Sequence, residues 1–445
     1  MMSYKTPDIY IEEIGSLPKS INQLPTGIAA FLGVTEKQPE PVTGFHKIHS
    51  LQDFERLFGL SPSNEKPVQG QIPEQGFLHG SVRLFFDNGG SSAYVYSVGT
   101  ATSSMTAQDF IVGLDILKNE REPTLVVFPD AVSLGNGLAR VQNKALDHCG
   151  EVGNRFCILD VPVHDSPLQG IAAFRGSLVS KHLDRGAVYG PWLLVRSLDD
   201  KRQEIKARKN ALDGVMRAYQ AQVVSSGADS AVAKALADQV IAAQRLLNTI
   251  GPCVFPASGA VAGVYAAVDA QRGVWKAPAN VALSGVVGLS ESINDVSQQN
   301  LNISPDDGKS INAIRSFVGK GFLIWGSRTL AGNDNEWRHV PVRRLCLMVE
   351  EAILEGTAFV VFEPNDANTW IKVKAMIENF LTNLWRQGAL AGTTPRDAFF
   401  VAVGLNTTMT AQDILDGRLV VEVGLAAVRP AEFIIIRFSH SLQSQ

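Results

Sequence analysis

Asp130, His164 and Ser258 occur in the chain order Asp, His, Ser. One class of serine hydrolases uses that order, with the imidazole taking the serine proton and the carboxylate orienting the imidazole. The stretch after the serine, ASGAVAG from Ala257 to Gly263, is small and helix-compatible but does not form a nucleophile turn. With eight histidines spread along the chain such an order arises cheaply, so a hydrolase using Asp130, His164 and Ser258 is only the alternative reading. Asp130 and Asp160 each follow an apolar strand-like run, at the carboxyl edge where open α/β sheets bind ligands. The plainer reading is that aspartates there start turns and cap helices.

Other fragments of chemistry fail on spacing. DDGKS at 306–310 ends like a phosphate-binding loop, but its first glycine position holds Ile303, so the backbone cannot curl around a phosphate. GKGFLIWG places glycines at 319, 321 and 326, the wrong spacing for a dinucleotide turn, and leads into a strand. Cys149, Cys157, Cys253 and Cys346 lack CxxC spacing, so they indicate neither a zinc site nor a disulfide framework and fit a reducing compartment. We expect no catalytic site, no metal and no cofactor.

The 445 residues carry 40 Lys+Arg against 44 Asp+Glu, a net charge of -4, which offers no basic footprint for nucleic acid. No apolar run approaches the ~18 residues of a membrane span, and the N-terminus lacks a signal-peptide core. Partners are therefore expected to be proteins, and the chain to be made in the cytoplasm.

Several elements follow from periodicity. GIAAFLGVT at 27–35 reads as a buried strand, and SSAYVYSVG, TLVVFPD, RFCILDVP and PWLLVRS as further strands separated by amphipathic helices. Continuous apolar strands alternating with helices imply a mostly parallel, doubly covered α/β sheet. Residues 199–249 are charged and alanine-rich. Stripes of Leu212, Met216 and Tyr219, and of Val232, Leu236 and Val240, predict an inserted helical pair. The remainder predicts an α+β domain with AFVVFEP, AFFVAVG and RLVVEVGLAAV as strands. The helix over 368–387 should bury Trp370, Val373, Ile377, Phe380 and Leu384 and leave Lys372, Lys374 and Glu378 outward.

Both chain ends read as strands in need of a partner edge. Ile9, Tyr10 and Ile11 lie in the alternating run DIYIEEI, ahead of a linker punctuated by Gly15, Pro18, Pro25 and Gly27. Phe433, Ile434, Ile435, Ile436 and Phe438 make the final run apolar on both faces. In water such a strand is an aggregation hazard.

Seven stretches resemble the contractile tail sheath family. They are YKTPDIYIEEI (4–14), FFDNGGSSAYVYSVG (85–99), RGVWKAPAN (272–280), INAIRSFVGKGFLIWGSRTL (311–330), WRHVPVRRL (337–345), VVFEPNDANTWIKVKAMIENFLTNLWRQGALAGTTPRDAFFV (360–401) and DGRLVVEVGLAAVRPAEFIIIRF (416–438). The likeness is strongest to sheath proteins of phage-tail-like injection particles. It implies a non-enzymatic subunit of hexameric rings stacked around an inner tube. Its fold would be a subtilisin-like doubly wound α/β domain over 27–335 with the helical insertion 199–249, an N-terminal strand arm and linker over 1–26, and a C-terminal sheath domain over 336–445. The insertion is read as a departure from the family.

The resemblance further implies that the terminal strands exchange between subunits, and that the partners are further copies of the chain, an inner tube protein, baseplate and tail-terminator or cap proteins, and paralogous sheath chains where a particle has them. Nucleic acid and membrane are not among them. The particle would be assembled in the cytoplasm and then belong to a virion or a released phage-tail-like particle. Lys372, Lys374 and Glu378 are the expected inner-tube contact.

Overall fold

The computed structural model describes residues 20–40, 44–60, 76–100, 104–162, 170–195, 200–226, 234–235, 237–242, 245, 252–304 and 306–432. The terminal strand residues Ile9, Tyr10, Ile11, Phe433, Ile434, Ile435, Ile436 and Phe438, and also His164, lie outside the described residues. The chain forms two compact units. The larger is Pro25–Met348 with 429–432, and the smaller is Val349–Val428 with 20–24.

The strands of the larger unit are β1 (Ala29–Thr35), β2 (His46–Ile48), β3 (Ala93–Thr100), β4 (Leu125–Val127), β5 (Phe156–Asp160), β6 (Gly186–Gly190), β7 (Leu193–Val195), β8 (Cys253–Phe255), β9 (Val281–Ala282), β10 (Val286–Leu289), β11 (Ile311–Phe317) and β12 (Gly321–Ile324). The smaller unit adds β13 (Phe399–Val403) and β14 (Val421–Leu425).

The main sheet has the order β2-β3-β1-β4-β5-β6-β11-β12-β9. Its centre, from β3 to β11, is parallel, while β2, β12 and β9 pair antiparallel at the margins. Alternation along each central strand feeds two cores. Phe31, Val95, Val127, Ile158 and Tyr189 face one, and Leu32, Val126, Cys157, Leu159 and Val188 face the other. Helices Ala107–Leu117 and Gly137–Val152 contribute Phe110, Leu114, Val141 and Leu146 to the second core. This mixed α/β sheet, buried on both faces, is what the continuous apolar strands required.

On the first face, helix Leu78–Asp87 packs along helix Ser258–Arg272. Their approach is set by glycine: a Cβ at Gly259 would lie 2.5 Å from the Ser81 carbonyl oxygen, and one at Gly263 would meet the Phe85 carbonyl even more closely. The small residues after Ser258 thus serve backbone-to-backbone packing.

Two sequence expectations are corrected. PWLLVRS does not join the main sheet, because its strand β7 lies antiparallel between β10 and β8 in a separate three-stranded sheet. The main-sheet strand is instead the preceding β6, GAVYG, whose flanking glycines hid a run with all five residues buried. AFVVFEP is not a strand. Ala358–Val360 continues helix Val340–Thr357 as a 3₁₀ turn, and Phe362 sits in the left-handed region at φ 74° with its side chain fully in solvent. The helix before it and the Asp366 cap two residues beyond it leave that segment too little length to extend, so local strand propensity loses.

The inserted region contains helix Asp200–Ser226, with Leu212, Met216 and Tyr219 half-buried along one stripe as expected, and a further helical stretch described over 237–242. In the smaller unit, helix Ala367–Arg386 buries Val373, Ile377, Phe380 and Leu384, together with Thr369, Met376 and Leu381. Trp370 is half-buried and donates its Nε1–H to the Asn365 side-chain oxygen at 2.7 Å.

Gly263→Val is expected to lower the urea or thermal midpoint sharply. The gain of up to ~1 kcal/mol from losing a helical glycine is smaller than the ~1–3 kcal/mol cost of overpacking against backbone. An unchanged or raised midpoint would contradict the glycine-set helix contact.

Candidate functional site

Asp130 and Asp160 do stand at strand ends, but both carboxylates are consumed by the fold. Asp130 follows β4 and is fully buried. Its Oδ2 accepts the Val34 N–H at 2.8 Å, and its Oδ1 accepts those of Gly76 at 3.0 Å and Phe77 at 2.6 Å. It therefore caps helix Leu78–Asp87, whose own N-cap residue, Phe77, has no side chain able to do so. Asp160, the last residue of β5, accepts the Ser258 N–H at 2.8 Å and the Ser258 hydroxyl at 2.5 Å, capping helix Ser258–Arg272 in the same way.

Negative charge at a helix N-terminus is favourable, and here the chain supplies its own anions where a ligand's would sit. Burial nevertheless dominates both groups. It pushes Asp130 up to about 6 against the amides of Val34, Phe77 and Gly76, and Asp160 up to about 7 against Ser258.

This geometry does not assemble a triad. The carboxylate partner of Ser258 is Asp160 rather than Asp130, and the serine is fully buried with its hydroxyl donated to that carboxylate. Among the described residues, no group of His, Cys, Asp and Glu could hold a metal ion.

The groups that sequence reasoning missed are buried arginines in the segment from Gly326 to Leu345. Arg328 is held on the sheet by Asn312 of β11, whose Oδ1 accepts the Arg328 N–H at 2.7 Å and whose Nδ2–H₂ donates to the Arg328 carbonyl at 2.8 Å. The Arg328 guanidinium donates from Nη1 to the Gly332 carbonyl at 3.1 Å. From Nε it donates to both carboxylate oxygens of Glu432, at 3.0 and 3.1 Å, and from Nη2 to Oε2 at 2.5 Å. His339 Nδ1 lies 3.4 Å from Glu432 Oε1, an ion-pair distance rather than a formed hydrogen bond. Burial disfavours the Glu432 charge, but His339 and Arg328 outweigh it and hold the carboxyl down at about 2.

Arg344 performs a matching task near the other end of the chain. It donates to both oxygens of Asp269 at 3.0 and 2.5 Å, and to the Thr26 carbonyl at 2.8 Å. Its guanidinium lies 4.7 Å from the Tyr265 ring centroid, and the Thr26 hydroxyl donates to Asp269 at 2.6 Å. Arg343 pairs with Asp184 at 2.8 Å and lies over the Trp337 ring. The segments that lead to both chain ends are thus fastened by buried arginines paired with carboxylates. The only sequence signal was the run RHVPVRRL, whose charge gives no hint of burial.

In the smaller unit, Lys372 is exposed and Lys374 and Glu378 are partly exposed on helix Ala367–Arg386, with Lys372 on one flank of the buried stripe and Lys374 and Glu378 on the other. Lys374 and Glu378 are 3.8 Å apart and nearly half exposed, a pair worth little in stability. Beside the helix, β13 and β14 pair only with each other among the described strands. Phe400 of β13 is 58% exposed and Val420, at the start of β14, is 40% exposed.

Comparison with known proteins agrees with this architecture. Residues 197–330 match the phage tail sheath protein central domain, and residues 332–440 match the phage tail sheath C-terminal domain. The first span includes the helical pair that was expected to depart from the family. A chain of the contracted-state sheath complex of an extracellular contractile injection system, PVC, is 30% identical with TM-score 0.70, covering 100% of this chain and 99% of that one. A chain of the six-fold symmetrised baseplate of the anti-feeding prophage, AFP, is 30% identical with TM-score 0.69, covering 99% and 100%. A putative prophage major tail sheath protein of Pseudomonas aeruginosa is 30% identical over 141 residues, 30% of this chain and 34% of the relative. The curated relatives are matched over only 20% to 34% of their own length.

The fold is that of a structural particle subunit rather than an enzyme. The chain belongs to the phage tail sheath protein family.

The raised value of Asp160 fixes a sign. Because its folded value of about 7 exceeds its unfolded value near 3.9, the acid form is favoured, and stability present below pH ~4 is lost as pH rises through 7. Asp160→Asn should therefore remove a falling component from the thermal midpoint between pH 4.5 and 7.5, leaving the falling share of Asp130 and the rising share of His148, which burial pushes down to about 3. An identical pH profile in the variant would show that Asp160 does not titrate in this range.

Proposed function

We propose that this chain polymerises as hexameric rings around an inner tube, and that contraction of the resulting sheath drives the tube through a target envelope. The observation that carries this reading is the unfinished sheet of the smaller unit. A two-stranded ribbon is marginal alone, and β13 and β14 each keep an outward edge beside exposed Phe400 and Val420. The strand-like runs of Ile9, Tyr10 and Ile11 and of Phe433, Ile434, Ile435, Ile436 and Phe438 have the complementary need. We assign those runs to β-augmentation of neighbouring copies, where main-chain hydrogen bonds give a strong joint with little dependence on side-chain identity.

The family membership and the full-length likeness to a sheath complex in a contracted state support the assignment, and the six-fold symmetry of the AFP baseplate supports ring assembly and a baseplate partner. The larger unit is read as a subtilisin-like domain without the protease chemistry, consistent with the burial of Ser258. Lys372, Lys374 and Glu378 are proposed to face the inner tube, and a tail-terminator or cap protein to close the far end. Assembly would take place in the cytoplasm before the particle is released. Energy is stored in an extended lattice during assembly and released by rigid-body repacking, so no nucleotide site is needed.

Deleting 433–445 or 1–14 is expected to leave a folded protein that stays monomeric. Long sheaths from either truncation, seen by negative-stain electron microscopy, would overturn the strand-exchange reading. A serine-directed phosphonate should leave Ser258 unlabelled, and labelling would revive the hydrolase alternative.

A further inference from the structure

Glu432 is the last residue before the apolar run Phe433–Phe438, and it is the residue that Arg328 grips. The grip is preorganised on the arginine side. The main chain of Arg328 is bracketed by the Asn312 amide, one guanidinium nitrogen is spent on Gly332, and the side chain is only 5% exposed. A planar guanidinium fixed in that way offers its remaining N–H groups in one direction only, and that direction is matched by a carboxylate. His339 Nδ1 lies 3.4 Å from Glu432 Oε1 on the same carboxylate. The neighbouring residues 429 and 431 give the segment no comparable hold, since Ala431 is exposed without a polar side chain and Arg429 forms no described pair with a carboxylate.

We infer that Arg328 and Glu432 form a latch that fixes the point and direction at which the C-terminal arm leaves the body, making Glu432 a positioning residue for the joint between subunits. This rests on the strand-exchange reading given above. A tethered strand is captured by its neighbour at an effective concentration set by how freely its root moves. Pinning the root one residue before Phe433 removes conformational freedom before capture, so that less is lost when the joint forms. The carboxylate charge does the pinning. A glutamine in its place keeps one acceptor for Arg328 Nε but leaves the guanidinium without a counter-charge.

The test compares full-length Glu432→Gln and Glu432→Asp with the wild type and with the 433–445 deletion, reading the subunit concentration for half-maximal sheath assembly by light scattering and sheath length by electron microscopy. Glu432→Gln is expected to need about tenfold more protein and to give shorter sheaths. Glu432→Asp, which keeps the charge, should recover most of the difference. Circular dichroism and the thermal midpoint of the unassembled variants report folding separately. Should Glu432→Gln fail to fold, the double variant Arg328→Met with Glu432→Met removes both charges without burying either alone, and the same loss of assembly is expected from it.

Wild-type assembly by Glu432→Gln, or equal defects in the Gln and Asp variants, would overturn the latch while the deletion still abolished assembly. Long sheaths from the deletion would instead overturn the strand-exchange reading itself.

Discussion

Carboxylates buried at the ends of two parallel strands hold the larger unit together. Asp130 gathers the amides of Val34, Gly76 and Phe77, and Asp160 gathers both polar groups of Ser258. Each therefore ties a central strand to the start of a helix, and those two helices then meet through Gly259 and Gly263. Every amide in this arrangement is shielded from water, and an unpaired buried donor costs about 1–3 kcal/mol, so the loss of one carboxylate would orphan several at once. The raised values near 6 and 7 measure what burial costs these groups. These contacts stand at the carboxyl ends of the strands, the edge at which open α/β sheets usually admit a ligand.

Ion pairs in this chain differ in how far they can fix geometry. Exposed pairs such as Lys374 with Glu378 contribute little and are screened by salt. The pairs of Arg328 with Glu432 and of Arg344 with Asp269 are of another kind, multidentate and largely out of water. Replacing such a pair by apolar groups can be neutral for stability, whereas removing one partner is strongly unfavourable. Their value is thus in specifying geometry, and both occur where the chain approaches a terminus. Thr26 is held through Arg344 and Asp269, and Glu432 through Arg328.

Much of this was legible from the sequence, and the failures have physical causes. The buried parallel strands were readable because Phe31 and Leu32, or Ile158 and Leu159, serve opposite cores and so appear as unbroken apolar runs. The buried face of helix Ala367–Arg386 was readable from its period. Strand β6 was not, because GAVYG has too few side chains to signal burial, and its place is set by pairing with β5 and β11. AFVVFEP misled in the opposite direction, since four strand-forming residues could not outweigh the helix before them and the cap after them. The order Asp, His, Ser suggested chemistry that the structure divides: Asp130 and Ser258 serve two different helices. The arginine clasps were invisible for a general reason. Charge in a sequence suggests surface, and only a partner distant in the chain, 104 residues away for Arg328 and Glu432, makes its burial affordable.

These features together constrain how such a subunit could change state. A body whose helices touch backbone to backbone cannot deform gradually, because close-packed interfaces admit discrete arrangements rather than a continuum. If neighbouring bodies are connected by terminal strands, the freedom that remains lies in the residues between a clasp and the strand it leads to. The two ends differ in this respect. Between Thr26 and the run Ile9–Ile11 stand residues 12–25, and Ile21 among them is itself buried. Between Glu432 and Phe433 stands none. Any slack at the N-terminal end would then be limited to the residues ahead of Ile21, and the C-terminal arm would have none, so both joints would be short and displacement would fall on the contacts between bodies.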